Sequence, residues 1–335
     1  MKIRIALAGI FLIGLACAAH AQFAIRAGYF PNMTHAQALV GRATGRFEKE
    51  LGPGVKIDWK TFNAGPSAVE ALFANAVDLV YIGPNPAITG YIRSQGAAVR
   101  VVAGAASGGA SFVVRTSANI HSPADFHHKR VASPQLGNTQ DVALRAWLRE
   151  NNLQSTDKGG DVQIIPLANP DQLTLFEKGQ LDASWAPEPW ATRLIQEGGG
   201  QLFVDERSLW PNYRFATTEV VVRPEFLSEH PDLVKKWIAA HVDLTEWIAR
   251  NVEAAKSIVN QQIAKDTGRL LPPRVLNEAF QRFEVTNDPI RSSLVTSAEH
   301  SYEAGFLKQK PELPGLVDVE LLNEVLREKK MLPVQ

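Results

Sequence analysis

Apolar and polar positions alternate by two in short runs and by three and four in longer ones, so strands and helices take turns along the first two thirds of the chain. Residues 23–30 read as a strand. After Pro31-Asn32-Met33-Thr34, the positions Ala36, Leu39, Val40, Ala43 and Phe47 form one face of a helix. Residues 55–62 predict a second strand, Ser67-Ala68-Val69-Glu70 reads as a capping box opening a helix that buries Val69, Leu72, Phe73 and Ala76, and residues 78–82 predict a third strand. This rhythm of strand, helix, strand, helix specifies a parallel sheet.

The same rhythm returns about a hundred residues later. Leu72-Phe73 leads to Pro84-Asn85-Pro86-Ala87, and Leu175-Phe176 leads to Pro187-Glu188-Pro189-Trp190-Ala191. In both copies the Phe and the first Pro are eleven positions apart, with an Asp (Asp78, Asp182) and a short apolar run between them. Each copy reads as helix, strand and a Pro-x-Pro corner at the strand's carboxyl end, which is where open α/β sheets place ligands. Two copies imply two similar lobes facing one cleft.

Residues 104–109, small and glycine-rich, lead into Ser111-Phe112-Val113-Val114-Arg115, and Thr217-Thr218-Glu219-Val220-Val221-Val222-Arg223 has a similar ending. About 110 residues separate these two strands, a length that suits one inserted lobe. We therefore expect one lobe from 22–108 and 218–335 and a second from 109–217. Within the second lobe, Ser122-Pro123-Ala124-Asp125 and Asn169-Pro170-Asp171-Gln172 carry helix-start signals, and strands are expected at 129–132 and 162–165. From Pro231 onward the pattern is helical, with helices expected over 233–251, 252–265, 273–283, 289–306 and 319–330, buttressing the first lobe.

The amino terminus stands apart. Met1-Lys2-Ile3-Arg4 precedes an uncharged apolar run over 5–18 and Ala19-His20-Ala21, the form of a secretory signal peptide cleaved after Ala21. The run is shorter than the ~20 residues of a membrane-spanning helix. The only cysteine, Cys17, lies inside it, and the Leu that a lipoprotein signal wants three residues earlier is replaced by Gly14. Removal of 1–21 leaves 33 bases against 35 acids, a balance that argues against a nucleic-acid partner. The mature chain is expected to be a soluble, monomeric periplasmic protein large enough to fold without disulfides.

Three helix starts offer exposed N–H groups to an anion: after Asn32, after Pro84-Asn85-Pro86, and in Ser133-Pro134-Gln135-Leu136-Gly137-Asn138-Thr139-Gln140. In the third, Gly137 permits a tight turn, and Ser133, Asn138 and Thr139 either surround a compact oxyanion or simply cap the helix. Asn85 and Glu188 hold matching places in the repeat; Asn85 suits an anion, and Glu188 suits an ammonium or a ligand hydroxyl unless it is a solvated loop charge. Trp185 either lines an apolar tail or fills the core. Ser111, at a lobe crossing, is a further hydrogen-bonding candidate. The histidines lack metal spacing, so no metal site is expected. Neither nucleotide fingerprint nor a G-x-S-x-G elbow is present, and no cofactor or catalytic residue is assigned.

The signal peptide, Gly28-Tyr29-Phe30-Pro31-Asn32, the segment 78–86, Ser133-Pro134-Gln135-Leu136-Gly137-Asn138-Thr139 and Trp185-Ala186-Pro187-Glu188-Pro189-Trp190 together resemble the periplasmic solute-binding proteins of ABC importers for aliphatic sulfonates, taurine and nitrate. The resemblance covers essentially the whole chain from Phe23. It implies a type II periplasmic binding fold: two α/β lobes joined by two crossing strands, with C-terminal helices. It also implies that an anionic head meets Asn32, Asn85, Ser111 and residues 137–139, with an inner-membrane permease and its ATPase as partners. Nitrate, bicarbonate or a thiamine pyrimidine precursor on the same scaffold is the alternative ligand. An enzyme related by scaffold is the rival class, in which His35 is the one histidine placed to act.

Overall fold

The computed structural model describes residues 23–335; the signal segment and Cys17 lie outside the described residues. The first sheet is built from β1 (Phe23–Tyr29), β2 (Val55–Thr61), β3 (Leu79–Ile82) and β4 (Arg100–Gly108). The second takes β5 (Ala110–Arg115), β6 (Arg130–Ser133), β7 (Gln163–Pro166), β8 (Ala183–Pro187) and β9 (Gly200–Asp205). The chain then returns to the first sheet with β10 (Ala216–Val222) and β11 (Phe283–Val285).

The strand orders are β2-β1-β3-β10-β4-β11 and β7-β6-β8-β5-β9. Overlaid, the first five strands of the one match the five of the other, and β11 is an extra edge strand of the first sheet. Three parallel strands (β2, β1, β3 and β7, β6, β8) are followed by one antiparallel strand that comes from the other lobe's side of the chain, β10 in the first sheet and β5 in the second. Central β3 is buried along its whole length, as a strand covered on both faces must be, whereas edge strand β2 turns Lys56, Asp58 and Lys60 to solvent.

The sequence repeat has a physical counterpart. The Asp78 carboxylate accepts from the backbone N–H and the guanidinium of Arg26 and from Arg223. Asp182 does the same with Arg130 and Arg115. Burial opposes ionisation of both acids, yet these donors hold both below the usual carboxylate range. Each acid pins the first strand of its lobe to the strand that crosses between lobes.

The crossing itself needs glycine. Gly108 and Gly109 link β4 to β5 with φ of 75° and 77°, and a Cβ on Gly109 would stand 2.6 Å from Thr34. Separate cores hold the lobes. In the first, Phe47 stacks on Trp237 (centroids 4.1 Å apart) beneath β1 and the helix Pro231–Arg250; in the second, Phe112 stacks on Trp185 and Phe126, 4.9 Å from each. A fully buried side chain of this size contributes about 2–3 kcal/mol of transfer free energy.

Three local expectations change. The helix predicted to open at Ser67 runs Gly65–Phe73 with Pro66 in its first turn, and Ser67 caps nothing because it is already inside. The segment 273–283 is helical only to Phe280; Phe283–Val285 pairs with β4 as an edge strand. The segment 289–306 becomes the helix Arg291–Glu303, since Ile290 has a left-handed backbone.

Candidate ligand-binding site

A cavity of about 20 Å³ lies at the carboxyl ends of the parallel strands of both sheets. The first lobe contributes Phe30, Asn32, Thr34 and His35 after β1, Asn63 and Ala64 after β2, Gly83 after β3, and Thr217 and Thr218 from β10. The second contributes Pro134 after β6, Asn138, Thr139 and Gln140 at the start of the helix Thr139–Glu150, then Asn169 and Pro187. Its volume is that of one or two water-sized groups. The lobes are closed over it.

Cross-lobe contacts define that closure. The Met33 N–H donates to the Glu188 carbonyl (3.0 Å), Trp190 Nε1 donates to Asn32 Oδ1 (3.1 Å), and the Gly65 N–H reaches Asn138 Oδ1 at 3.4 Å. Gly83 faces Thr139 so closely that a Cβ there would stand 2.3 Å from the Thr139 hydroxyl.

Asn138 precedes the helix with extended backbone and makes no side-chain cap, so the first N–H groups of a twelve-residue helix are not claimed by it. Thr139 Oγ1 and Thr218 Oγ1 are buried and, among the described residues, have no partner. One comes from each lobe. A buried hydroxyl left unpaired costs about 1–3 kcal/mol, so this arrangement is suited to a ligand that accepts hydrogen bonds. Among the described residues bordering the cavity there is no Asp, Glu, Lys or Arg. His35 is fully buried, accepts the Phe30 N–H at Nδ1 (3.3 Å), and is pushed by burial down to about 3, which keeps it neutral. An accepting Nδ1 leaves the proton on Nε2.

Of the candidates named from sequence, Asn32, Asn138 and Thr139 border the cavity together. Asn85 does not. The Pro-x-Pro corner is the first turn of the helix Pro84–Arg93, and Asn85 Nδ2 donates to the Ser297 carbonyl and Ser301 Oγ, each at 2.9 Å. Ser133 Oγ donates to Asp141 (2.8 Å), as does the Gly137 N–H (2.9 Å); both fix the turn from behind. Ser111 is buried within β5 and does not border the cavity; its Oγ, too, has no partner among the described residues. Trp185 is core, its Nε1 donating to Glu206 Oε2 at 2.7 Å. Glu188 is no solvated charge: it is fully buried, accepts the Thr192 N–H (3.2 Å), and faces Arg282 Nε at 3.4 Å. Burial pushes it up to about 7 against the pull of Arg282. Thr217, Thr218, Asn63 and Asn169 escaped the sequence reading; the available signal was a pair of threonines opening a run of valines.

Among the described residues no three His, Cys, Asp or Glu come together as a metal site, and no helix is long and apolar enough to cross a membrane.

Two sheets that share the order of five strands, joined by two crossings and closed over an uncharged, donor-lined cavity, define a bilobal solute-binding protein of the type II periplasmic binding fold. Residues 18–264 match the model of the NMT1-like family, and the chain belongs to that family. It is similar to the taurine-binding periplasmic protein of Escherichia coli strain K12, 25% identical over 292 residues that span 84% of this chain and 85% of that protein. The alkanesulfonate-binding protein SsuA of Xanthomonas axonopodis pv. citri, solved bound to MOPS, shares the fold at a TM-score of 0.73 and 20% identity, over 88% of this chain and 98% of that one. The periplasmic aliphatic sulphonate binding protein SsuA of Escherichia coli superposes at 0.68 and 22% identity, over 87% and 96%.

Proposed function

We propose that this protein is a periplasmic receptor that captures a small organic anion, an aliphatic sulfonate, by lobe closure and delivers it to an inner-membrane ABC permease. The observation that carries the reading is the pair of unpartnered hydroxyls, Thr139 and Thr218, facing one cavity from opposite lobes beside a free helix N-terminus. Neutral donors and a helix end stabilise a single negative charge, and closure strengthens each hydrogen bond by removing water. A sulfonate is a monoanion at every physiological pH. Phosphate carries a second charge for which the cavity holds no cation.

The lobes are proposed as residues 22–108 with 216–335, and 109–215, rotating about the two crossings; the boundary moves from the expected 217/218 because Ala216 and Thr217 open β10 of the first sheet. The working form is proposed to be an exported monomer. Binding rather than catalysis is the reading because the relatives that this chain resembles are named as binding proteins and the cavity is lined by neutral hydrogen-bonding groups. Thermal unfolding against alkanesulfonates, taurine, nitrate, bicarbonate, phosphate and thiamine precursors tests it. A ligand at ~100 times its dissociation constant adds about 2.7 kcal/mol to the folded state. A rise in midpoint with sulfonates and none with phosphate supports the reading, and no shift with any sulfonate refutes it.

A further inference from the structure

We propose that the carboxyl end of the helix Arg291–Glu303, with the turn to Phe306, is a clasp by which the first lobe grips the helix Thr139–Glu150 of the second, and that this grip sets ligand affinity without touching the ligand. The inference rests on the reading of the protein as a receptor that binds by lobe closure.

The two halves of the clasp are complementary in charge. The second lobe supplies Arg145, Arg149 and Lys158; the first supplies Glu303, the end of its helix and the Phe306 ring. Arg149 pairs with Glu303 across the lobes, with 43% and 44% of the two side chains exposed. The Lys158 ammonium lies over Gly305, where an added Cβ would stand 2.7 Å from Nζ. That is the carboxyl end of the helix, where the dipole favours a cation. The Arg145 guanidinium is 5.5 Å from the centre of the Phe306 ring, within cation–π range. Arg145, Arg149, Lys158 and Glu303 border one indentation of about 220 Å³ between the lobes.

The gripped helix is the one that starts at the anion site. Thr139 borders the cavity, and Arg149 lies about 15 Å further along the axis. Nearer the start, a Cβ on Gly137 would lie 3.5 Å from the Phe306 ring. Arg145, against the same ring, donates to Asp141 (3.2 Å), which accepts from the Gly137 N–H and Ser133 Oγ and so fixes the turn. On the first lobe's side, Asn85 Nδ2 ties the helix Arg291–Glu303 to Pro84–Arg93 through the Ser297 carbonyl and Ser301 Oγ. Asn85, which does not reach the cavity, thus anchors the clasp.

The contacts of Arg149, Lys158 and Arg145 each join one lobe to the other, so separating the lobes breaks them. Apparent affinity scales with the population able to close, and partly exposed charges are screened by salt. The part of the salt dependence that Glu303 controls is therefore the signature of the clasp.

Calorimetric titration of the mature protein with methanesulfonate tests this, with urea unfolding without ligand to show that each variant folds. Glu303→Lys sets a cation against Arg149 and Lys158 and is expected to weaken binding about three- to tenfold at low salt, as is Arg149→Glu. The two together restore the pair with its signs exchanged and should bind more tightly than either single variant. In 1 M sodium chloride, where the screening length is ~3 Å, Glu303→Lys should come within about twofold of the original. Single variants within about twofold of the original at low salt, or a double variant no better than either, would overturn the clasp. Failure of the original protein to bind methanesulfonate would overturn the anion reading instead. Small-angle X-ray scattering without ligand then decides the clasp: a larger radius of gyration for Glu303→Lys than for the original supports it, and an equal one overturns it.

Discussion

Substituting Gly83 by alanine places a wedge in the closed state alone. Gly83 has φ of −71° and ψ of 155°, which alanine adopts without strain, so neither lobe should lose stability by itself. In the closed form the new methyl would stand 2.3 Å from Thr139 Oγ1, 3.3 Å from Thr139 Cβ and 3.5 Å from the Thr217 carbonyl. The cheapest relief is rotation of the Thr139 side chain, which takes its hydroxyl away from the anion. A hydrogen bond to a charged group contributes about 1.5–3 kcal/mol, so affinity should fall about 10- to 100-fold, and further if the lobes stay ajar. Calorimetric titration with a sulfonate reads the affinity, and urea unfolding without ligand reads the fold. A Gly83→Ala protein that binds within about threefold of the original would refute the closure geometry, because no ligand interaction would then depend on this contact.

Thr218→Val exchanges the other unpartnered hydroxyl for a methyl of similar size; unfolding without ligand should be unchanged or improved by up to about 1 kcal/mol, while sulfonate affinity falls about tenfold in the same titration. Glu188 keeps its proton to higher pH when folded, about 7 against 4.5, so the stability it allows is fully present below about 4.5 and is lost as pH rises through about 7. Glu188→Gln removes that dependence: urea unfolding should show the variant gaining on the original by about 3 kcal/mol between pH 4.5 and 7.5, and a pH-independent difference would contradict it. The same variant should leave the ratio of ethanesulfonate to taurine affinity unaltered. Trp185→Ala should cost about 3–5 kcal/mol in urea unfolding through the aromatic stack with Phe112, yet leave the affinity of the folded fraction within about twofold.

What could be read in the sequence was whatever repeats or is local. The Phe, Asp and Pro spacing that marks the two copies corresponds to two Asp-Arg clasps holding equivalent strands, because the same junction had to be built twice. The start of the helix Thr139–Glu150 was visible from Gly137 and Asn138, since a tight turn and a polar first residue announce themselves. The direction of a side chain was not visible. Asn85 turns toward Ser297 and Ser301, more than two hundred residues away, and only the packing of the helix Arg291–Glu303 against Pro84–Arg93 decides it. Glu188 and Trp185 sat in the right motif but in the wrong layer: both are one step behind the cavity, held by Arg282, Thr192 and Glu206. Thr218 went unnoticed because a threonine opening a strand is common; its hydroxyl becomes informative only when its burial without a partner is seen. The three-residue strand at Phe283 was hidden within a helical pattern because edge pairing with β4, a long-range contact, overrides local periodicity there.

The most direct test is a crystal structure of the mature protein with ethanesulfonate. The sulfonate oxygens are expected between the lobes, within hydrogen-bonding distance of Thr139 Oγ1 and Thr218 Oγ1 and of the first N–H groups of the helix Thr139–Glu150, with no Lys or Arg in contact. A sulfonate held elsewhere, or held by a cation drawn into the cleft, would contradict recognition by neutral donors from two closing lobes.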